Sequence, residues 1–364
     1  MNIAVVNWRD PWHPLAGGAE TYAWEMARRF AASGDQVWFV TARAPGQRGR
    51  ESVEGVRLVR MGGAFTVYPL VLVWLLLRRS VFDVVLDCQN GIPFFAPLVV
   101  RRRTKVVCVV HHVHDRQFEM HLSRWLAALG RFLEGPASRW AYRGCDSVAV
   151  SPSTVRAMRE RLGWLGPIRI VPNGVSVAPV GNVRKSPVPR LVYVGRLVAH
   201  KRVHLLLDAV EQLRKRWPDL VVDVVGRGPE EERLRARLPD GVIMHGWLPE
   251  EEKARLIAGA WLQVNASQGE GWGLCVLEAA ALGVPTVAYD VDGLRDAVRH
   301  GETGWLLPEG MDLAKGITAA LDEQDNTYSK KCREWAGTFC WDRSAERMAA
   351  LVRGRTVPPG WAER

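Results

Sequence analysis

The sequence predicts an α/β protein built as two Rossmann-like domains. Short runs rich in Val and other strand-favouring residues alternate with longer helical patterns, which implies βαβ units on parallel sheets. The alternation breaks once, near the middle, and then restarts. Length agrees: at about 100–200 residues per domain, 364 residues suit two.

The elements follow in order. "NIAVVN" (2–7) reads as a strand. In "GAETYAWEMARRFAASG" (18–34), Ala19, Tyr22, Ala23, Met26, Ala27 and Phe30 recur at helical spacing, and Gly34 suits the helix end. Strand-like runs follow at 36–42, 82–88, 105–112 and 147–151. "VYPLVLVWLLL" (67–77) is too short to cross a bilayer, which needs about 20 residues. It reads as a buried helix, with a membrane-touching face as the alternative. The stretch 175–190, rich in Pro, Gly and Val, reads as a linker. Strands are then expected at 190–195, 221–226, 242–246, 261–267, 285–290 and 304–308, with a helix at 203–217 and a last one at 340–354. The expected domains are therefore 1–174, a linker at 175–190, a second domain at 191–340, and a helix and tail at 341–364 returning toward the first domain.

Hydrophobic residues make up 48% and charged residues 24%, the balance of a globular protein and not of a disordered one. The net charge of +10 favours an anionic partner. The N-terminus has no basic start or cleavage-like region, so a cytoplasmic location is expected. Six cysteines without a CxxC pair argue for reduced thiols rather than a disulfide scaffold or a zinc site.

Parallel α/β domains bind ligands at the carboxyl ends of their strands, so the strand-to-helix loops carry the chemistry. Three suit an anion. "PLAGGAET" (14–21) places Gly17 and Gly18 where a ligand can approach the backbone and the helix amides can face a phosphate; a plain turn also fits. "VGRLVAHKR" (194–202) sets Arg196 and Lys201 just past a strand, a planar fork and a mobile charge that match a diphosphate. "SQGEGWGLCVLEAAALGVP" (267–285) places Glu270 in a glycine-rich loop. Amides near Gly273 and Leu274 open a helix that runs through Glu278, whose carboxylate can accept from a ribose diol.

These stretches, with "VPNGV" (171–175), resemble in order the retaining GT-B glycosyltransferases of the family-4 type, over nearly the whole chain. The resemblance implies a GT-B fold, two Rossmann-like domains facing across a cleft that holds the active site. It implies transfer of a sugar from a nucleotide diphosphate sugar to an acceptor hydroxyl, with retention, and with no cofactor and no metal. It makes Glu278 the ribose ligand and Glu270 the residue facing the transferred sugar. Arg196 and Lys201 become the diphosphate clamp, and Gly17 and Gly18 a loop over the phosphates. Gly226, in "GRGPEE", lies near the base, and the backbone around Trp247 and Leu248 contacts it. His111, in "VVCVVHHVHD", is the match for a histidine at the anomeric centre; His112 and His114 remain open as alternatives. The acceptor is a cell-wall or capsular glycan, a glycolipid or a small metabolite. A non-catalytic nucleotide-sugar or membrane-binding protein of the same fold, or a nucleotide-sugar epimerase, is the alternative activity.

Asp290 and Asp292 spell DxD, a metal-binding pair in another glycosyltransferase architecture, but they fall where this family has a strand followed by a glycine-containing loop. Between 101 and 143 the net charge is +6, and Leu122, Leu126, Leu129 and Leu133 share one helical stripe. A solvated face fits this segment. So does peripheral contact with an anionic membrane or a phosphorylated acceptor. Nucleic acid is not expected, because no binding motif accompanies the charge.

Overall fold

The computed structural model describes residues 1–115, 118 and 123–358. The chain divides into two compact units, Met1–Gly174 together with the stretch from Trp341, and Val175–Cys340.

The first unit holds an eight-stranded sheet. Its strands are β1 (Asn2–Val6), β2 (Gln36–Thr41), β3 (Arg50–Val53), β4 (Val56–Arg60), β5 (Val84–Asn90), β6 (Lys105–His112), β7 (Asp146–Ala149) and β8 (Ile168–Ile170), in spatial order β3-β4-β2-β1-β5-β6-β7-β8. Among the described strands only β3 and β4 pair antiparallel. They form a hairpin whose turn residues, Glu54 and Gly55, both have positive φ, as a two-residue hairpin turn of the favoured hand requires. The central strands are buried on both faces, hence their near-continuous apolar runs.

Helix α1 (Gly18–Ala32) follows β1 and buries Tyr22, Ala23, Met26, Ala27 and Phe30 of the stripe expected from the sequence, while Ala19 is half-buried. Gly34 takes φ +88 just beyond its end. Helix α2 (Val67–Leu77) departs from expectation. It buries Val67, Val71, Trp74 and Leu75 against the sheet core, while Leu70, Val73, Leu76 and Leu77 are exposed. One stripe of an all-apolar helix meets the sheet, and the opposite stripe does not. Helix α3 (Arg124–Phe132) likewise buries only Ala127 and Gly130, and Leu126 and Leu129 of the expected leucine stripe face outward. Arg116, Glu119 and Leu122 of that segment lie outside the described residues. The unit is completed by α4 (Pro152–Glu160), capped by the Ser151 hydroxyl, and by the C-terminal helix, Trp341–Val352.

The second unit holds a six-stranded, all-parallel sheet: β9 (Arg190–Val194), β10 (Val221–Val225), β11 (Val242–Gly246), β12 (Leu262–Asn265), β13 (Thr286–Tyr289) and β14 (Gly304–Leu307), in order β11-β10-β9-β12-β13-β14. All six lie within the expected runs. Its longer helices are α5 (Val203–Arg214), α6 (Glu250–Gly259), α7 (Leu274–Ala281), α8 (Leu313–Glu323) and α9 (Asn326–Ala336), and the C-terminal helix of the first unit is α10. Residues 175–190, expected as a linker, are anchored within this unit. Val175 N donates to Phe339 O, Ser186 N to Gly259 O, and the Trp261 indole to Ser186 O.

Candidate active site

Strand order in the second sheet reverses direction between β9 and β12. Successive connections run outward on opposite sides of that point, so the loops after β9 and β12 diverge and leave a crevice at the carboxyl edge. Arg196 and Lys201 follow β9, and Glu270 follows β12. The topology therefore brings together residues that are some seventy positions apart in sequence.

The β9 loop is knitted to its neighbour. Gly195 N donates to Val225 O, Leu197 N to Arg227 O, and Glu230 N to Leu197 O. Gly226 has φ +141, and a Cβ there would collide with Gly195 O. Gly226 is therefore fixed by close approach of two backbones. Above this base the Arg196 side chain is exposed, and among the described residues it has no ion-pair partner.

Lys201 ends a short 3-10 turn and forms an ion pair with Glu270 Oε1. The Ser267 hydroxyl lies 2.8 Å from the same oxygen and 2.6 Å from Asn265 Oδ1. Glu270 N donates to Asp292 O, and a Cβ on Gly293 (φ +78) would collide with Glu270 O. The DxD stretch thus buttresses the glutamate loop with its backbone, while Arg295 holds the Asp290 carboxylate at 2.9 Å. Burial alone would raise the Glu270 carboxyl. The Lys201 ammonium and the Ser267 hydroxyl outweigh it and hold the group below the usual value.

Arg202 is a site residue that sequence reasoning missed. It is a non-glycine with φ +51 at the N-cap of α5, and its guanidinium reaches across to donate to Ala266 O (2.7 Å) and Ser267 O (3.0 Å). It also sits 4.8 Å over the Tyr289 ring. A left-handed backbone at such a residue costs about 1–3 kcal/mol, and these contacts hold it there. The only sequence signal was a third cation beside Lys201.

Gly273 (φ +77) caps α7, and Glu278 lies one turn in. Its carboxylate meets Lys253 of α6 at 3.3 Å, and Lys253 also holds Glu250 at 2.7 Å. Burial pushes Glu278 above the usual carboxyl value, and Lys253 offsets this only in part. Lys253 was also missed; its spacing within "EEEKARL" reads as an ordinary helix-surface charge. Trp247, after β11, is 65% exposed, while Leu248 packs on the core beside Val225 and Ile257. Exposed aromatic surface and backbone are thus both offered at that strand end.

In the first unit, Gly17 caps α1 with φ −155, an extended conformation open to any residue, and its N–H is taken by Glu20 Oε2 at 2.8 Å. Gly18 O accepts from Asn173 Nδ2 at 3.4 Å. His111 lies near the end of β6, which runs through His112 as the expected strand at 105–112 does. Its ring is buried edge-on to Tyr22, with centroids 5.0 Å apart. Nε2 has no hydrogen-bond partner among the described residues. Burial, with the nearby His114, drops its pKa to about 3, so the imidazole is neutral. His114 is committed elsewhere: its N–H donates to Glu134 and its Nδ1 lies 3.0 Å from His112 O. Among the described residues, no cluster of three His, Cys, Asp or Glu could hold a metal ion.

Known proteins agree on the kind of fold. The family described as "Glycosyltransferase Family 4" matches residues 16–178, and "Glycosyl transferases group 1" matches residues 180–337. The chain is 28% identical to a glycogen synthase of Mycobacterium tuberculosis over 89% of this chain and 86% of that protein. It is 31% identical to a phosphatidyl-myo-inositol mannosyltransferase of Mycobacterium leprae over 52% of this chain and 53% of that one. Among solved structures, a sucrose-phosphate synthase from Thermosynechococcus elongatus superposes with TM-score 0.83 at 22% identity, covering 97% of this chain and 98% of its own. HepE of Anabaena, solved in complex with UDP and glucose, superposes with TM-score 0.74 at 16% identity, covering 97% and 100%.

Proposed function

The chain belongs to the GT-B glycosyltransferases of family 4, and from that premise we propose that its second unit binds a nucleotide diphosphate sugar and that the enzyme transfers the sugar to an acceptor hydroxyl with retention, without a metal. One observation carries the reading: Lys201 and Glu270 meet at the strand switch point, and the exposed Arg196 lies on the same β9 loop as Lys201. A diphosphate supplies the charge that Arg196 lacks and competes for Lys201. Glu270, released in part, is then left to accept from the hydroxyls of the sugar. Glu278 accepts from the ribose diol, while the exposed Trp247 and the backbone at Leu248 serve the base. As the bond between the sugar and the phosphate breaks, negative charge grows on the leaving diphosphate. Arg196, Lys201 and the amides at Gly273 and Leu274 stabilise it there, and the departing phosphate takes the proton of the attacking hydroxyl on the same face. In the first unit, the neutral imidazole of His111 offers a hydrogen bond without a charge.

The glycogen synthase and the mannosyltransferase extend the proposal to a glycan or a glycolipid headgroup as the acceptor. The cationic segment at 101–143 fits an acceptor held at an anionic membrane. A thermal-shift screen of nucleoside diphosphates, followed by transfer assays in EDTA with the best-stabilising nucleotide's sugars, tests the reading. Stabilisation by one nucleotide and metal-free transfer are expected. No stabilisation by any, or turnover lost in EDTA and restored by Mn²⁺, overturns it.

A further inference from the structure

We propose that the outward face of α2 docks the protein onto a bilayer carrying anionic headgroups. This deepens the membrane reading of 101–143 by assigning the apolar contact to a different element, and it stands independently of the sugar-transfer reading.

From Met61 to Leu77 the chain contains no charged residue. Inside that run, Phe65 is 75% exposed, Leu70 43%, Val73 52%, Leu76 44% and Leu77 75%. The four α2 residues recur at helical spacing, so they form one stripe opposite the buried Val67, Val71, Trp74 and Leu75. A contiguous apolar patch of this kind on a soluble protein marks a contact surface.

Charge says what the contact is. Arg78 and Arg79 follow the helix at once, and no carboxylate occurs between 61 and 82. Arg101, Arg102 and Arg103, all exposed, are tied to the same end of the helix. Arg78 lies 4.8 Å over Trp74, Trp74 stacks on Phe82 at 5.3 Å, and the Thr104 hydroxyl donates to Phe82 O at 2.9 Å. An apolar stripe ending in five arginines is complementary to acyl chains beside anionic headgroups. A second copy of the chain fits worse, since it brings no carboxylate from this segment to meet the arginines: none occurs between 61 and 82. At 11 residues, α2 is about 16 Å long, so it lies in the interface and does not span it.

The test is co-sedimentation of the full chain with vesicles of phosphatidylcholine alone or of phosphatidylcholine with phosphatidylglycerol. Partitioning onto the mixed vesicles is expected to be at least about tenfold stronger and to fall in 1 M salt. Val73→Ser with Leu77→Ser, and separately Arg78→Gln with Arg79→Gln, should each weaken it about tenfold with unchanged melting curves. Equal partitioning onto both vesicles overturns the proposal. So does a concentration-dependent dimer that the Val73→Ser, Leu77→Ser pair dissolves. If Leu126→Ser with Leu129→Ser abolishes binding while both α2 pairs leave it intact, the α2 assignment falls and the reading of 101–143 stands.

Discussion

Glu270 and Glu278 are eight residues apart, and both side chains are 14% exposed, yet the protein treats them oppositely. Glu270 sits in a loop, meets Lys201 and Ser267, and is held ionised below the usual carboxyl value. Glu278 sits on a helix, meets Lys253 as its one cation among the described residues, and is pushed above it. Equal burial therefore does not set the charge state; the strand-end partner does. Lys201 comes from the adjoining loop at the switch point, so it is positioned by the sheet, whereas Lys253 reaches in from α6 and is shared with Glu250. The loop glutamate is built for fixed charge, the helix glutamate for a charge that a ligand can tune.

Removing the partner of the fixed glutamate should have the largest effect. Lys201→Ala leaves a shielded carboxylate uncompensated and removes a cation from the leaving group. Turnover should drop about 100-fold or more, and stability by about 3 kcal/mol. Glu270→Gln should cost less stability, because a lone lysine can extend toward water. Kinetics with the screened donor, together with denaturant melts, check this; equal stability loss in the two variants breaks the contrast.

A smaller effect is expected at the strut between the two loops. Arg202→Gly keeps the left-handed turn without its Cβ penalty but deletes the hydrogen bonds to Ala266 O and Ser267 O. Turnover should fall about tenfold while the melting temperature stays near that of the parent, because relief of about 1 kcal/mol of strain offsets the lost contacts. Arg202→Ala should lose both. Full activity in the glycine variant would show that the side chain positions nothing.

The smallest change is a shift of pH dependence. Because Glu270 is lowered, its stabilisation is present above the ordinary carboxyl range and is lost as pH falls through its lowered value. Because Glu278 is raised, the fold is favoured with it protonated, and that advantage is lost as pH rises through its raised value. Nucleotide binding, which uses the ionised form of Glu278, should therefore strengthen as pH rises from the ordinary carboxyl range through that raised value. Lys253→Met removes the opposing charge and should move this limb to higher pH. Titration calorimetry across pH checks it, and an unmoved limb means that Lys253 does not tune the site.

The second unit's strands and its glutamates were readable because each lies in a local pattern: apolar runs of strand length, glycines freeing a loop, an acid one turn into a helix. Arg202 and Lys253 were not, since their roles depend on what lies across the sheet from them. The β3–β4 hairpin was passed over although Glu54 and Gly55 mark a turn within alternating "RESVEGVRLVR", because its half-charged strands lack the apolar signature of the central ones. The outward face of α2 was hidden for the opposite reason: an all-apolar helix shows no periodicity from which to read which side is buried.

The C-terminal helix α10 has a consequence for synthesis. Gly174 leaves no room for a side chain against Trp341, Arg347 donates to Ile170 O at 2.7 Å, and Arg353 pairs with Asp35 at 2.8 Å. These partners leave the ribosome on either side of the whole second unit, which takes roughly 10–30 s to translate. Throughout that interval the first sheet waits with Tyr22 and the flank of α1 lacking their ring partner Trp341. The first unit therefore cannot complete its packing until the second has been synthesised, and a nascent chain stalled before residue 341 lacks the contacts that close the flank of the first sheet.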